Sequence, residues 1–177
     1  MISLKIIEKE RKDDINICNQ PFKSYGRLLP SYRDGKWSYG TELFDENNIV
    51  EACFPNENYD YEKLSKNSVF IGAYDGDNCI GLAILQKAPF KYMYLYDLKV
   101  NAEYRRKGIG NNLIEKAKEI ALNLNYNGLY TQGQDNNLGA CLFYLKNGFV
   151  IGGLDTEVYK GTPQQDKKDV IFYCDAL

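Results

Sequence analysis

The chain has 177 residues, 44% of them hydrophobic and 26% charged, with a formal net charge of −2. That length suits one domain with a real core, and the charge balance lacks the broad basic surface of a general nucleic-acid binder. No stretch approaches the ~20 apolar residues that span a bilayer, and MISLKIIEKERKDD turns charged too soon for a signal peptide, so a cytoplasmic protein with neither a membrane nor a nucleic-acid partner is expected. Histidine is absent, and Cys18, Cys53, Cys79, Cys141 and Cys174 are scattered without a CxxC pair. Zinc sites and His-based nucleophile units lack their usual ligand or base, so no metal is expected.

In chain order, residues 2–8 read as a first strand. Residues 11–36 mix Asp, Asn, Pro and Gly with isolated apolar positions and read as irregular, with at most a helical turn. From Gly40 to Glu62 there are seven carboxylates and no Lys or Arg, interleaved with Phe44, Phe54, Tyr59 and Tyr61. Thr41 is placed to cap a helix running to about Ala52. This segment, about 37–62, is either a solvated acidic surface or an acidic, aromatic wall for a cationic substrate. On the second reading Glu42, Asp45, Glu46 and Tyr59 are candidate contacts, together with Asp155.

Residues 68–74 and 79–86 flank Asp75-Gly76-Asp77-Asn78, a strong hairpin signal. Residues 91–100 (KYMYLYDLKV) form a third, nearly continuous apolar strand, expected to be central and covered on both faces. Next come the basic turn Arg105-Arg106-Lys107-Gly108-Ile109-Gly110 and a helix with Leu113, Ala117, Ile120, Ala121 and Leu124 on one face. Residues 128–134 read as a strand parallel to the preceding one through this crossover helix. Asn137 sits in an N-cap cluster, residues 138–147 form a second helix, and Gly148 suits its left-handed C-cap. Residues 149–151, 157–160 and 170–174 are closing strands, with a polar loop over 161–168.

A strand handing over through glycines to a helix start is a site for a phosphate, because the N–H groups there are unpaired and the macrodipole is positive. The side chains of Arg105, Arg106 and Lys107 add charge. Neither a Rossmann nor a P-loop fingerprint is present.

The pattern Arg105-x-x-Gly108-x-Gly110, followed by Asn137-x-x-Ala140-x-x-x-Tyr144-x-x-x-Gly148-Phe149, resembles the GNAT superfamily of N-acetyltransferases. The resemblance runs from about Ser68 to the C-terminus. It implies an α/β (α+β) GNAT fold, a mixed, mostly antiparallel sheet of about six to seven strands flanked by helices. One domain, 1–177, is expected, with its acetyl-CoA core at about 68–160. It also implies that the backbone of Leu98, Lys99 and Val100 pairs with the pantetheine arm of acetyl-CoA, and that N–H groups from Arg105, Arg106, Lys107, Gly108, Ile109 and Gly110 hold the pyrophosphate. Asn137 then contacts the pantetheine and the Tyr144 hydroxyl lies near the thioester sulfur, able to protonate a departing thiolate. Outside that motif Tyr144 reads as a core aromatic.

Something must also take the proton of an alkyl ammonium. Asp97 is the candidate base. The alternative is a carboxylate paired with Lys99 or acting as a substrate counter-ion. Within the superfamily, QPF with Pro-Ser-Tyr and Trp37, then YLYDLKV, TQGQDNNLGACLFYLKNGF and IGGLDTEVYK, look like the streptothricin acetyltransferases. That likeness implies acetylation of the β-lysine amine of a polycationic antibiotic. A protein or polyamine N-acetyltransferase and a non-catalytic acyl-CoA module are the competing readings, and a homodimer is left open.

Overall fold

The strand pattern of the middle of the chain is realised almost residue for residue in a computed structural model, which describes residues 1–177. The strands are β1 (Ile2–Ile6), β2 (Phe22–Ser24), β3 (Gly26–Arg33), β4 (Lys36–Leu43), β5 (Val50–Ala52), β6 (Ser68–Asp75), β7 (Asn78–Gln86), β8 (Tyr92–Val100), β9 (Gly128–Gln134), β10 (Val150–Asp155) and β11 (Asp169–Asp175). The helices are α1 (Tyr61–Leu64), α2 (Ile109–Asn123) and α3 (Leu138–Lys146), with 3₁₀ segments at Lys9–Asn16, Glu46–Asn48 and Ala102–Tyr104. The central sheet has seven strands in the order β1-β6-β7-β8-β9-β11-β10, and β2-β5 and β3-β4 are separate antiparallel pairs. This is the mixed, mostly antiparallel architecture expected. Tertiary contacts gather into two units, Met1–Pro21 with Cys53–Leu129 and Asp175–Leu177, and Phe22–Ala52 with Tyr130–Cys174.

In the first unit, β1, β6, β7 and β8 are antiparallel neighbours. β6 and β7 turn through Gly76 at φ 60°, a conformation that glycine adopts without steric cost. Ile7, Ile15, Phe70, Tyr74, Leu82 and Ile84 form one buried cluster, against which Tyr59, Tyr61 and Leu64 pack. Each such large side chain contributes roughly 1.5–3 kcal/mol by leaving water. α2 buries Ile109, Leu113, Ile114, Ala117 and Ala121. Leu124, expected on that face, is 39% exposed, because the helix has already ended at Asn123 and Leu124 is its C-cap.

The second unit contains the main departures from the sequence reading. Residues 26–43 form a regular hairpin, with Arg33 opposite Lys36 across Asp34 and Gly35, whose φ values are 50° and 78°. An Asp-Gly pair with both residues left-handed is the two-residue turn that fits strand twist. The helix expected from Thr41 to Ala52 is absent: Thr41 pairs with Leu28 in the β3–β4 ladder, and only a 3₁₀ turn follows. The alternation of WSYGTEL favoured a strand and outweighed the capping signal of one threonine. Residues 157–160 are also not a strand. Asp155 Oδ1 accepts hydrogen bonds from the Glu157 and Val158 N–H groups at 2.9 and 3.0 Å and bends the chain into turns.

Candidate active site

The basic turn is built from two left-handed residues, Arg106 (φ 60°) and Gly108 (φ 82°). Gly108 is the N-cap of α2, and the first intrahelical bond runs from Asn112 N to Gly108 O at 3.0 Å. The N–H groups before Asn112 therefore have no helical acceptor and suit an anion. A Cβ at Gly108 would meet nothing within 4 Å, so its requirement for glycine is conformational, and the approach to the helix start is open.

Arg105 holds the turn in shape. Its Nε donates to Val100 O at 3.0 Å, Nη1 to Pro21 O at 2.6 Å and Nη2 to Gln20 O at 3.3 Å. The Gln20 side chain completes the brace by accepting from Ala102 N at 2.5 Å. The Arg105 guanidinium is thus committed to three carbonyls, and side-chain charge at the turn falls to Arg106 and Lys107. The Lys107 Nζ lies 5.2 Å from the centre of the Tyr104 ring.

β8 leads into this turn with a bulge. Ile84 faces Asp97 and Leu85 faces Leu95, which leaves Tyr96 as the extra residue. Bulges re-aim side chains and often sit beside active sites. Beyond it Asp97 and Lys99, two residues apart, share one face of the strand. Lys99 Nζ lies 3.0 Å from Asp97 Oδ2 and 2.8 Å from Glu57 Oε2, and the Tyr59 hydroxyl donates to Asp97 Oδ2 at 3.1 Å. The side chains of Lys99, Asp97 and Glu57 are 10%, 15% and 31% exposed. Burial pushes the Asp97 carboxyl above the ordinary aspartate range; Lys99 opposes this, and the Glu57 charge adds to it. Burial acts upward on Glu57 too, but hydrogen bonds from Lys99 and Asn19 outweigh it and hold that carboxyl below its usual value. Burial, and next the Asp97 charge, raise the Tyr59 phenol.

The loop that brings in Glu57 and Tyr59 is tied down by two asparagines. Asn16 accepts from Tyr59 N at 2.7 Å and donates to Tyr59 O at 3.0 Å. Asn19 Nδ2 donates to Pro55 O at 2.7 Å and to Glu57 Oε2 at 2.9 Å.

In the second unit Asn137 caps α3, its Oδ1 accepting from Ala140 N at 3.3 Å. Tyr144 is half-buried on α3, its ring 5.3 Å from that of Phe149 and 5.5 Å from that of Phe172. Glu42, Asp45 and Glu46 are exposed, and Asp155 caps its turn. Residues 40–52 belong to the second unit and 53–62 to the first. Of the five proposed substrate contacts, Tyr59 lies in the first unit and joins the Asp97 group. Glu57 escaped notice in the sequence, since nothing local distinguishes it from its acidic neighbours. The pairing of Asp97 with Lys99 was visible in their spacing.

A family profile described as acetyltransferase (GNAT) family matches residues 34–149. Streptothricin acetyltransferase A of Bacillus subtilis (strain 168) is 32% identical over 160 residues, covering 90% of this chain and 92% of that protein. A Bacillus anthracis str. Ames protein, assigned as a streptothricin acetyltransferase and solved with acetyl coenzyme A, superposes with a TM-score of 0.86 at 31% identity, over 99% of this chain and 98% of the other. Nourseothricin acetyltransferase shares the fold, with a TM-score of 0.81 at 18% identity over 99% of each chain.

Proposed function

The chain belongs to the acetyltransferase (GNAT) family and is an acetyl-CoA-dependent acetyltransferase, and on that premise we propose that it acetylates the β-lysine amine of streptothricin. The substrate rests on the 32% identity across 90% of the chain. The single observation that carries the catalytic reading is the half-neutralised acid group on β8, in which two carboxylates, Asp97 and Glu57, share one cation, Lys99, and leave one excess negative charge. That charge attracts an alkyl ammonium and supplies an acceptor for its proton.

The residues divide the work as follows. N–H groups of Arg105 to Gly110, with the Arg106 and Lys107 side chains, hold the pyrophosphate of acetyl-CoA at the start of α2. The backbone of Leu98, Lys99 and Val100 offers amide groups to the pantetheine arm, as an added strand would, and Asn137 contacts that arm. Asp97 takes a proton from the ammonium, directly or through one water. The freed nitrogen lone pair then forms the C–N bond, the thioester C–S bond breaks, and the Tyr144 hydroxyl gives a proton to the leaving sulfur. The proton left on the new amide nitrogen, passed through solvent, restores the Tyr144 hydroxyl, and Asp97 releases its own proton to solvent, so one proton is released per acetyl group transferred. Acetylation removes a positive charge from the antibiotic, and such charges supply much of the affinity for RNA. No helix is long and apolar enough to cross a membrane.

The test is release of CoA thiol with streptothricin, spermidine and a peptide carrying N-terminal and lysyl amines. The expected result is a kcat/KM for streptothricin at least ~100-fold above the others. A preference for the peptide or the polyamine would make this a protein or polyamine acetyltransferase instead.

A further inference from the structure

No role has been given to the side chains of Lys99 and Glu57, yet they make the two shortest charged contacts of the Asp97 group. Lys99 Nζ is 2.8 Å from Glu57 and 3.0 Å from Asp97, and its side chain is 10% exposed. An ammonium so nearly buried needs charge partners, and here the partners compete for it. Glu57 is fixed from its other side by Asn19, which donates to the same Oε2 at 2.9 Å. The groups facing Asp97 are the Lys99 cation on its own strand and, from the 55–61 segment, the Glu57 carboxylate and the Tyr59 phenol.

We propose that Lys99 and Glu57 are positioning residues that set the proton affinity of Asp97 from opposite sides, Lys99 by favouring its ionised form and Glu57 by drawing part of that cation away. The arrangement suits a base. Paired with Lys99 alone, Asp97 would be held firmly ionised and would accept protons poorly. Facing Glu57 without Lys99, its ionised form would be further disfavoured and less of it would be free to accept a proton. Sharing one ammonium between two carboxylates leaves Asp97 ionised yet ready to take a proton from the substrate. The Lys99 ammonium also lies 5.9 Å from the centre of the Tyr59 ring, which keeps the cation on the face where Asp97 receives its hydrogen bond.

This inference rests on the reading of Asp97 as the base, and the test separates the two. The pH dependence of kcat/KM is measured for wild type, Lys99→Met, Lys99→Arg, Glu57→Gln and Asp97→Asn. The titration of the Asp97 carboxyl is followed in the same proteins, without substrate, by ¹³C NMR. Lys99→Met is expected to move the acid limb and the NMR titration upward by about one pH unit or more, and Glu57→Gln to move both downward. Lys99→Arg is expected to restore the wild-type position. An ion pair that served folding alone would lower the yield or Tm of both variants while leaving the limb in place. That result, or shifts of the same sign, would overturn the proposal. If Asp97→Asn keeps the wild-type rate and limb, the assignment of the base fails, whatever the NMR titrations show.

Discussion

Two aspartates, the partly buried Asp97 and the fully buried Asp135, each face a cation, and their surroundings could hardly differ more. Asp135 is 1% exposed, and the chain closes around it. Its Oδ2 lies 3.0 Å from Arg27 Nε, an ion pair without the alignment of a hydrogen bond, and its Oδ1 accepts from Lys168 N at 2.9 Å. Its own backbone bonds Leu28 N and Lys168 O, both at 2.9 Å. Arg27 also donates to Asp166 O at 3.2 Å. Every contact joins β3, the end of β9 and the loop entering β11, which is the work of a staple. The Asp97 carboxylate is met by side chains, the Lys99 ammonium and the Tyr59 hydroxyl at its Oδ2. Its partners are three side chains that differ in charge, and its proton affinity is raised. Burial and ion pairing alone do not distinguish a reactive acid from a structural one. The distinction lies in whether the partners are fixed backbone groups that lock one protonation state or side chains in competition.

The contrast is broken most sharply by Asp97→Asn. A general base contributes about 10²–10⁴-fold, so kcat should fall by roughly 10³-fold while Tm holds or rises, by no more than about 3 °C. The sign follows from the raised affinity. The ionised form is the disfavoured one in the fold, so stability from this group declines as pH climbs from the unfolded value near ~3.9 through the higher folded one. Asn removes that cost. For the same reason the acid limb of kcat/KM should lie above the ordinary aspartate range, with activity lost below it.

Asp135→Ala should do the opposite. Leaving the Arg27 charge without its buried partner should cost about 3–5 kcal/mol in urea unfolding, with KM for both substrates unchanged in the fraction that folds. The proposed acid role of Tyr144 sets a third test, because its ring packs like that of a structural residue. Tyr144→Phe keeps the contacts with Phe149 and Phe172, so Tm should hold while kcat falls about 100-fold. The smallest effect is expected at Gly108. Alanine at φ 82° costs about 1 kcal/mol of backbone strain, which should raise KM for acetyl-CoA roughly fivefold and leave kcat unchanged.

The sheet, the basic turn and α3 were legible because local signals agreed there. Apolar runs, an Asp-Gly turn, a glycine at a left-handed position and an Asn cap all named the same elements. Residues 22–52 were not, although Asp34-Gly35 carried the same turn signal as Asp75-Gly76. β4 is exposed along nearly its whole length, so its alternation of Trp37, Tyr39, Thr41 and Leu43 marks no buried face and competes with the cap signal of Thr41. At the site, Asp97 and Lys99 could be paired from a spacing of two. Their third partner could not be read, because Glu57 arrives from forty residues away through Asn16 and Asn19, which no local pattern connects to it.

The most direct test of the account is tandem mass spectrometry of streptothricin after incubation with the enzyme and acetyl-CoA. The account predicts a single added acetyl group, located on a β-lysine amine, formed by the wild type and nearly abolished in Asp97→Asn. An unmodified antibiotic under conditions where the protein acetylates a peptide amine, or an acetyl group outside the β-lysine, would contradict it.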